Sequence, residues 1–146
     1  MLRNLKTLCF LLPVLLFIAC DRCMSIRSCA DTFAFKIVDK SSGQDLVFGT
    51  SPVYNLDSVY LFTNLSGYGN GKLSGVQNNS FMSNLVVPTD TLFLRLTSTD
   101  TDTLYLSYNY VESRCCSSPQ GYGQLRSIKH NKNIVTQEDK IYVFKK

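Results

Sequence analysis

Tryptophan is absent from the 146 residues, and histidine occurs once, as His130. A single imidazole provides no histidine set for a metal centre, and nothing in the sequence sets a nucleophile and an orienting acid beside it. His130 falls in the polar turn His130-Asn131-Lys132-Asn133, where a solvated side chain is expected. Charge is sparse: 15 Lys+Arg stand against 11 Asp+Glu with no basic cluster, which argues against a nucleic-acid partner. The carboxylates are scattered through turns, so no acid pair of the glycosidase kind is indicated. Asp90, Asp100 and Asp102 lack the spacing, glycine and terminal glutamate of a calcium loop and are expected as solvated hairpin ends. Gly67-Tyr68-Gly69-Asn70-Gly71 lacks the Lys-Ser/Thr ending that cradles phosphate. These gaps exclude the common catalytic, metal and cofactor signatures and predict a protein that is not an enzyme.

Long apolar runs are also missing. The strongest, residues 8–19, spans 12 uncharged positions interrupted by Pro13, short of the roughly 20 residues a helix needs to cross hydrocarbon. Before it stand Arg3 and Lys6 without an acid, the charged start and apolar core of an export signal. The run closes on Leu15-Leu16-Phe17-Ile18-Ala19-Cys20. An ordinary cleavage site needs small residues one and three places before the cut; Ala19 fits and Phe17 does not. Ile18, Ala19 and Cys20 resemble the lipobox of bacterial lipoprotein signal peptides, with Phe17 in place of the usual leucine. That resemblance implies cleavage before Cys20, a diacylglyceryl group on its thiol and an acyl chain on its new amine. The covalent lipid is then the only prosthetic group expected. Asp21, next in line, resembles an inner-membrane retention signal in some bacteria but not in others; the cell envelope, outer membrane ahead of inner, is the expected location.

Removing residues 1–19 discards Arg3 and Lys6 and leaves 13 Lys+Arg, 11 Asp+Glu and a net charge of +2. The remainder fits one ordinary domain, divided here into a lipidated tether over residues 20–31 and a domain over 32–146. Cys9 leaves with the signal and Cys20 takes lipid, so Cys23, Cys29, Cys115 and Cys116 remain. In an oxidising compartment four cysteines suggest two disulfides with three possible connectivities. Neighbouring strand residues face opposite sides, so Cys115 and Cys116 should reach different partners, clipping the N-terminal arm to the late part of the domain. Zinc is disfavoured because neither pair has the two-residue spacing of a structural zinc knuckle.

The mature chain reads as strands. Eight Tyr and nine Phe, with abundant Thr, Val and Leu, favour β structure. Phe33, Phe35 and Ile37 alternate over residues 32–38. Further strands are predicted at Leu46-Val47-Phe48, over residues 58–63 and 81–87, and within 124–129 and 140–144. The near-copies Thr89-Asp90-Thr91-Leu92-Phe93-Leu94 and Thr101-Asp102-Thr103-Leu104-Tyr105-Leu106 predict the two arms of one hairpin. The second continues as a tyrosine-rich strand to residue 111. Seven to nine short strands with regular turns predict an all-β fold, an antiparallel β-sandwich of immunoglobulin-like or transthyretin-like type.

The cysteine-bearing arm, Phe33-Ala34-Phe35-Lys36-Ile37, and Thr103-Leu104-Tyr105-Leu106-Ser107-Tyr108 leading to Cys115 resemble small uncharacterised lipoproteins of Bacteroidetes-type bacteria. That likeness implies a life in the envelope and no particular reaction. The expectation is a lipid-anchored structural or protein-interaction module, held to the membrane by its acyl chains and partnered by another envelope protein. The alternative is a ligand-binding, carbohydrate-directed surface lipoprotein. Tyr68 and Tyr122 are then the candidate contacts, with the tyrosines of residues 105–110 behind them, although core packing accounts for strand tyrosines more simply.

Overall fold

The computed structural model describes residues 29–65, 72–113, 115–116 and 121–146. Ten strands form two five-stranded sheets packed face to face, with one 3-10 turn over Leu56–Ser58. In chain order the strands are β1 (Ala34–Val38), β2 (Tyr60–Phe62), β3 (Ser74–Gln77), β4 (Ser80–Ser83) and β5 (Thr91–Arg95). They continue with β6 (Thr101–Val111), β7 (Tyr122–His130), β8 (Asn133–Ile134), β9 (Gln137–Glu138) and β10 (Ile141–Lys145). The first sheet runs β3-β4-β1-β10-β9 and the second β2-β5-β6-β7-β8. The β-sandwich read from alternation is therefore the fold.

Period-two alternation decides which side chains meet between the sheets. The first sheet contributes aromatics: Phe35 stacks on Phe81 at 5.1 Å and lies 5.2 Å from Phe144, and Phe33 meets Tyr142 edge-on at 5.8 Å. The second contributes aliphatics, with Leu61, Leu92, Leu94, Leu104 and Ile128 fully buried. Each such side chain contributes about 1.5–3 kcal/mol by leaving water. The predicted hairpin forms as β5 and β6, pairing Leu92 with Leu104 and Leu94 with Asp102.

Several expectations change. Leu46-Val47-Phe48 is not a strand: the Asp45 carboxylate accepts the N–H groups of Val47 (2.8 Å) and Phe48 (2.7 Å), bending the chain while Leu46 and Val47 stay buried. An aspartate that bonds its own following amides competes with a ladder, and here it prevails. Among the described residues the strands number ten, because the short β8 and β9 and the hairpin strand β3 add to those anticipated. One pairing is parallel, β1 with β10, which places Phe35 beside Tyr142 and Ile37 beside Phe144.

Both sides of the sandwich are stitched. On one, Leu73 N–H donates to the Leu61 carbonyl at 2.7 Å and Leu61 N–H to Ser74 Oγ at 3.0 Å, joining β2 to β3 across the two sheets. On the other, residues 135–136 step from β8 in the second sheet to β9 in the first, and Val143 N–H donates to the Thr136 carbonyl at 3.1 Å. That crossing buries Val143, which otherwise faces away from the core beside Lys36. Short edge strands tied to their neighbours offer little free ladder to another chain.

The end of the supposed tether belongs to the folded body. Cys29 N–H donates to the Val86 carbonyl, Asp31 N–H to that of Gly123, and Gly123 N–H returns to that of Cys29. Ala30 is buried and bridges Gly123 in parallel. Gly123 has to be glycine here: a Cβ would stand 2.5 Å from Pro88 Cγ and 3.2 Å from the Tyr108 ring.

Candidate functional site

Strand β6 starts at one end of the sandwich and finishes at the other, roughly 35 Å away at about 3.4 Å per residue. Each end carries a distinct chemistry.

At its start, Asp102 takes the position that alternation assigns to the buried face with Leu104 and Leu106, and His130 shares the buried face of β7 with Ile128. Asp102 is 5% exposed and His130 6% exposed, so neither is the solvated turn residue expected from its polarity. The His130 Nε2 lies 2.9 Å from Asp102 Oδ2, and Asn131 Nδ2 donates to Oδ1 at 2.7 Å. Lys146 Nζ sits 2.9 Å from both Asp102 oxygens and 2.9 Å from Asp100 Oδ1. The Tyr54 hydroxyl donates to Asp100 Oδ2 at 3.3 Å, and the His130 ring packs 5.3 Å from Phe144.

Burial pushes the Asp102 carboxyl pKa up, but donors from Asn131, His130 and Lys146 outweigh it and hold the group below its ordinary value. Burial likewise pulls Lys146 down, and the Asp102 and Asp100 carboxylates more than reverse this. Tyr54 is raised, first by burial and then by the charge of Asp100. An aspartate orienting a histidine is half of a hydrolytic triad. The hydrogen-bonded partners of this pair among the described residues are an amide and an ammonium, with no hydroxyl or thiol. The network ties the last strand to β6 and β7 and is built as a lock. Among the described residues no three His, Cys, Asp or Glu side chains converge as metal ligands.

At the other end, where the arm meets the sandwich, Cys29 is joined to Cys116 with Cα atoms 5.5 Å apart, and Cys115 is itself disulfide-bonded. The arm is thus clipped to the late part of the domain, as the cysteine count suggests. Cys20, Cys23 and Tyr68 lie outside the described residues. Tyr122 is partly buried, and its hydroxyl donates to Asp31 Oδ1, whose other oxygen accepts Leu125 N–H at 2.8 Å. The Asp31 bond, followed by burial, pushes the Tyr122 pKa up to about 12. Tyr122 is a fastening between arm and sheet.

Aromatic side chains also line the outward face of the second sheet. Phe62 stacks on Phe93 at 5.3 Å, Tyr60 lies 6.0 Å from Phe62, and Lys72 stands 5.1 Å over the Tyr60 ring. The Phe rings cover one another, as cross-strand pairs do, while Tyr105 on the same face is exposed between Thr91 and Lys129. On the first sheet a groove of about 580 Å³ has Ala34, Met82 and Ile141 among its apolar lining and Gln77, Gln137 and Asp139 among its polar lining.

The Asp102 network escaped sequence reasoning although a signal existed, since Asp102 and His130 share the phase of buried neighbours on their own strands. Lys146 offered no signal, because only the β10 register brings it to Asp102. Comparison with family models, with curated proteins and with solved structures finds no match to this chain.

Proposed function

We propose that this β-sandwich is a lipid-anchored module of the cell envelope, acylated at Cys20 and serving a structural or protein-interaction role, with no cofactor beyond its lipid. The observation that carries this reading is the arm. It is cross-linked to the sandwich at Cys29, nine residues after Cys20, and bonded into the sheet through Ala30 and Asp31. Nine residues reach at most about 30 Å, so an acylated Cys20 holds the body close to the bilayer. The disulfides support export, since such bonds persist in oxidising compartments. The outer membrane is the proposed site, and an envelope protein the proposed partner.

Intact mass of protein extracted from membranes, with and without reduction and thiol alkylation, tests this reading. A mass starting at Cys20 with acyl chains, and thiols appearing only on reduction, is expected; a lipid-free mass starting elsewhere overturns the anchor.

A second reading, a carbohydrate-directed surface protein, is favoured by one observation, the exposed Tyr105 on the open face of the second sheet. Glycan binding abolished by Tyr105→Ala with stability unchanged supports it, and binding that survives the substitution removes it.

A further inference from the structure

Ten large apolar side chains among the described residues are conspicuously exposed, and they are unevenly spread. Leu65, Val86, Val87, Tyr110 and Val111, exposed by 51, 56, 40, 43 and 44%, gather where the arm joins the sandwich. Their continuity follows from backbone contacts. The Val86 carbonyl accepts Cys29 N–H at 2.6 Å, and Val87 adjoins Pro88, which packs against Gly123. Tyr110 stands across from Gly123 and Val111 from Tyr122 in the β6–β7 ladder, and Leu65 lines a cleft with Pro88. Single exposed apolar residues need no explanation, but a cluster marks an interaction surface.

We propose that this end of the sandwich docks into the interfacial zone of the lipid bilayer, fixing the orientation of the domain on the membrane. The proposal rests on the reading of Cys20 as lipidated. The occupant follows from the length of chain before the fold and where it ends. The arm leads to Cys29, which is bonded to Val86 of the patch and to Gly123 beside it, and nine residues can span no more than about 30 Å between that point and the acyl chains. Tethering converts docking into an intramolecular event, so a modest patch suffices. Tyrosine suits the interface because its ring is apolar and its hydroxyl is wet. The opposite end, with Asp100, Asp102 and Lys146, then faces away from the membrane.

The absence of native tryptophan makes any introduced one a unique fluorophore. Acylated full-length Val86→Trp, Val111→Trp and Val53→Trp are reconstituted into phosphatidylethanolamine/phosphatidylglycerol vesicles with and without brominated acyl chains. Val53 is exposed beside Tyr54, at the far end. The expected result is blue-shifted, bromine-quenched emission at positions 86 and 111, with solvent-like, unquenched emission at 53. Chains that float with vesicles but show solvent-like emission at all three positions overturn the docking alone. A dilution-sensitive blue shift that bromine does not quench assigns the patch to a second copy and also overturns it. Chains that fail to float overturn the anchor, and the docking with it.

Discussion

Asp102 keeps its charge inside the sandwich because Asn131, His130 and Lys146 all converge on its two oxygens. Removing one member of such a buried set strands the others, which typically costs about 3–5 kcal/mol. Asp102→Ala is expected to lose that much in urea unfolding, and Asp102→Leu combined with His130→Leu to lose clearly less than the two single changes added together. Strict additivity would show that the pair is not coupled. Because the folded Asp102 pKa lies below 3.8, its contribution is complete above that value and disappears as pH falls through the folded pKa. Tyr122 behaves in the opposite sense. Its pKa is raised from 10.0 to about 12, so the Asp31 bond stabilises fully below pH 10 and fades as pH climbs between those values. Unfolding measured across that alkaline window should show a loss in the native protein that Tyr122→Phe lacks. An equal loss in both would assign it to other groups.

Three hairpins turn on two left-handed residues each: Asn78-Asn79, Asn131-Lys132 and Asp139-Lys140, with φ between 46° and 78°. These are the mirror-image turns that suit the twist of paired strands, and they favour asparagine, aspartate and glycine. Lysine is poorly suited, with φ of 78° at Lys132 and 67° at Lys140. Lys132→Gly and Lys140→Gly are each expected to raise stability by about 0.5–1 kcal/mol, because the relief of left-handed strain exceeds the added freedom of the unfolded chain. Thermal unfolding decides it, and a lower midpoint in both would refute the assignment. Gly123 is the opposite case. Its missing side chain lets the arm, Pro88 and Tyr108 meet, so Gly123→Ala should cost about 1–3 kcal/mol through overpacking.

Across the whole molecule, the two sheets share one core, tied sides and an arm cross-linked to a late loop. The Cys29–Cys116 bond spans 87 residues, and closing a loop of that size restricts the unfolded chain by on the order of 4 kcal/mol. Replacing both cysteines by alanine should lower stability by up to that amount, since Cys115 stays cross-linked. The expectation is checked by denaturant midpoint, and an unchanged midpoint would mean that the Cys115 disulfide and the hydrogen bonds of residues 29–31 suffice without it.

Alternation by itself determined the strand character of this chain: Leu92, Leu94, Leu104 and Leu106 declare a buried face, and the paired Thr-Asp-Thr-Leu segments declare a hairpin. The cysteine count indicated an arm tied to the late part of the domain, although Cys115 and Cys116 lie past the end of β6 rather than on a strand, so strand alternation is not what parts them. Tertiary structure alone decided the rest. Asp102 and His130 lie in buried phase, yet polarity argues for water, and only the convergence of Lys146 and Asn131 makes burial tolerable. The parallel β1–β10 pair, the sheet-crossing step over Val143 and the choice of Cys116 for Cys29 depend on contacts between residues far apart in sequence. Local propensity and periodicity record which side chains leave water; they hold no information on which distant partner waits there.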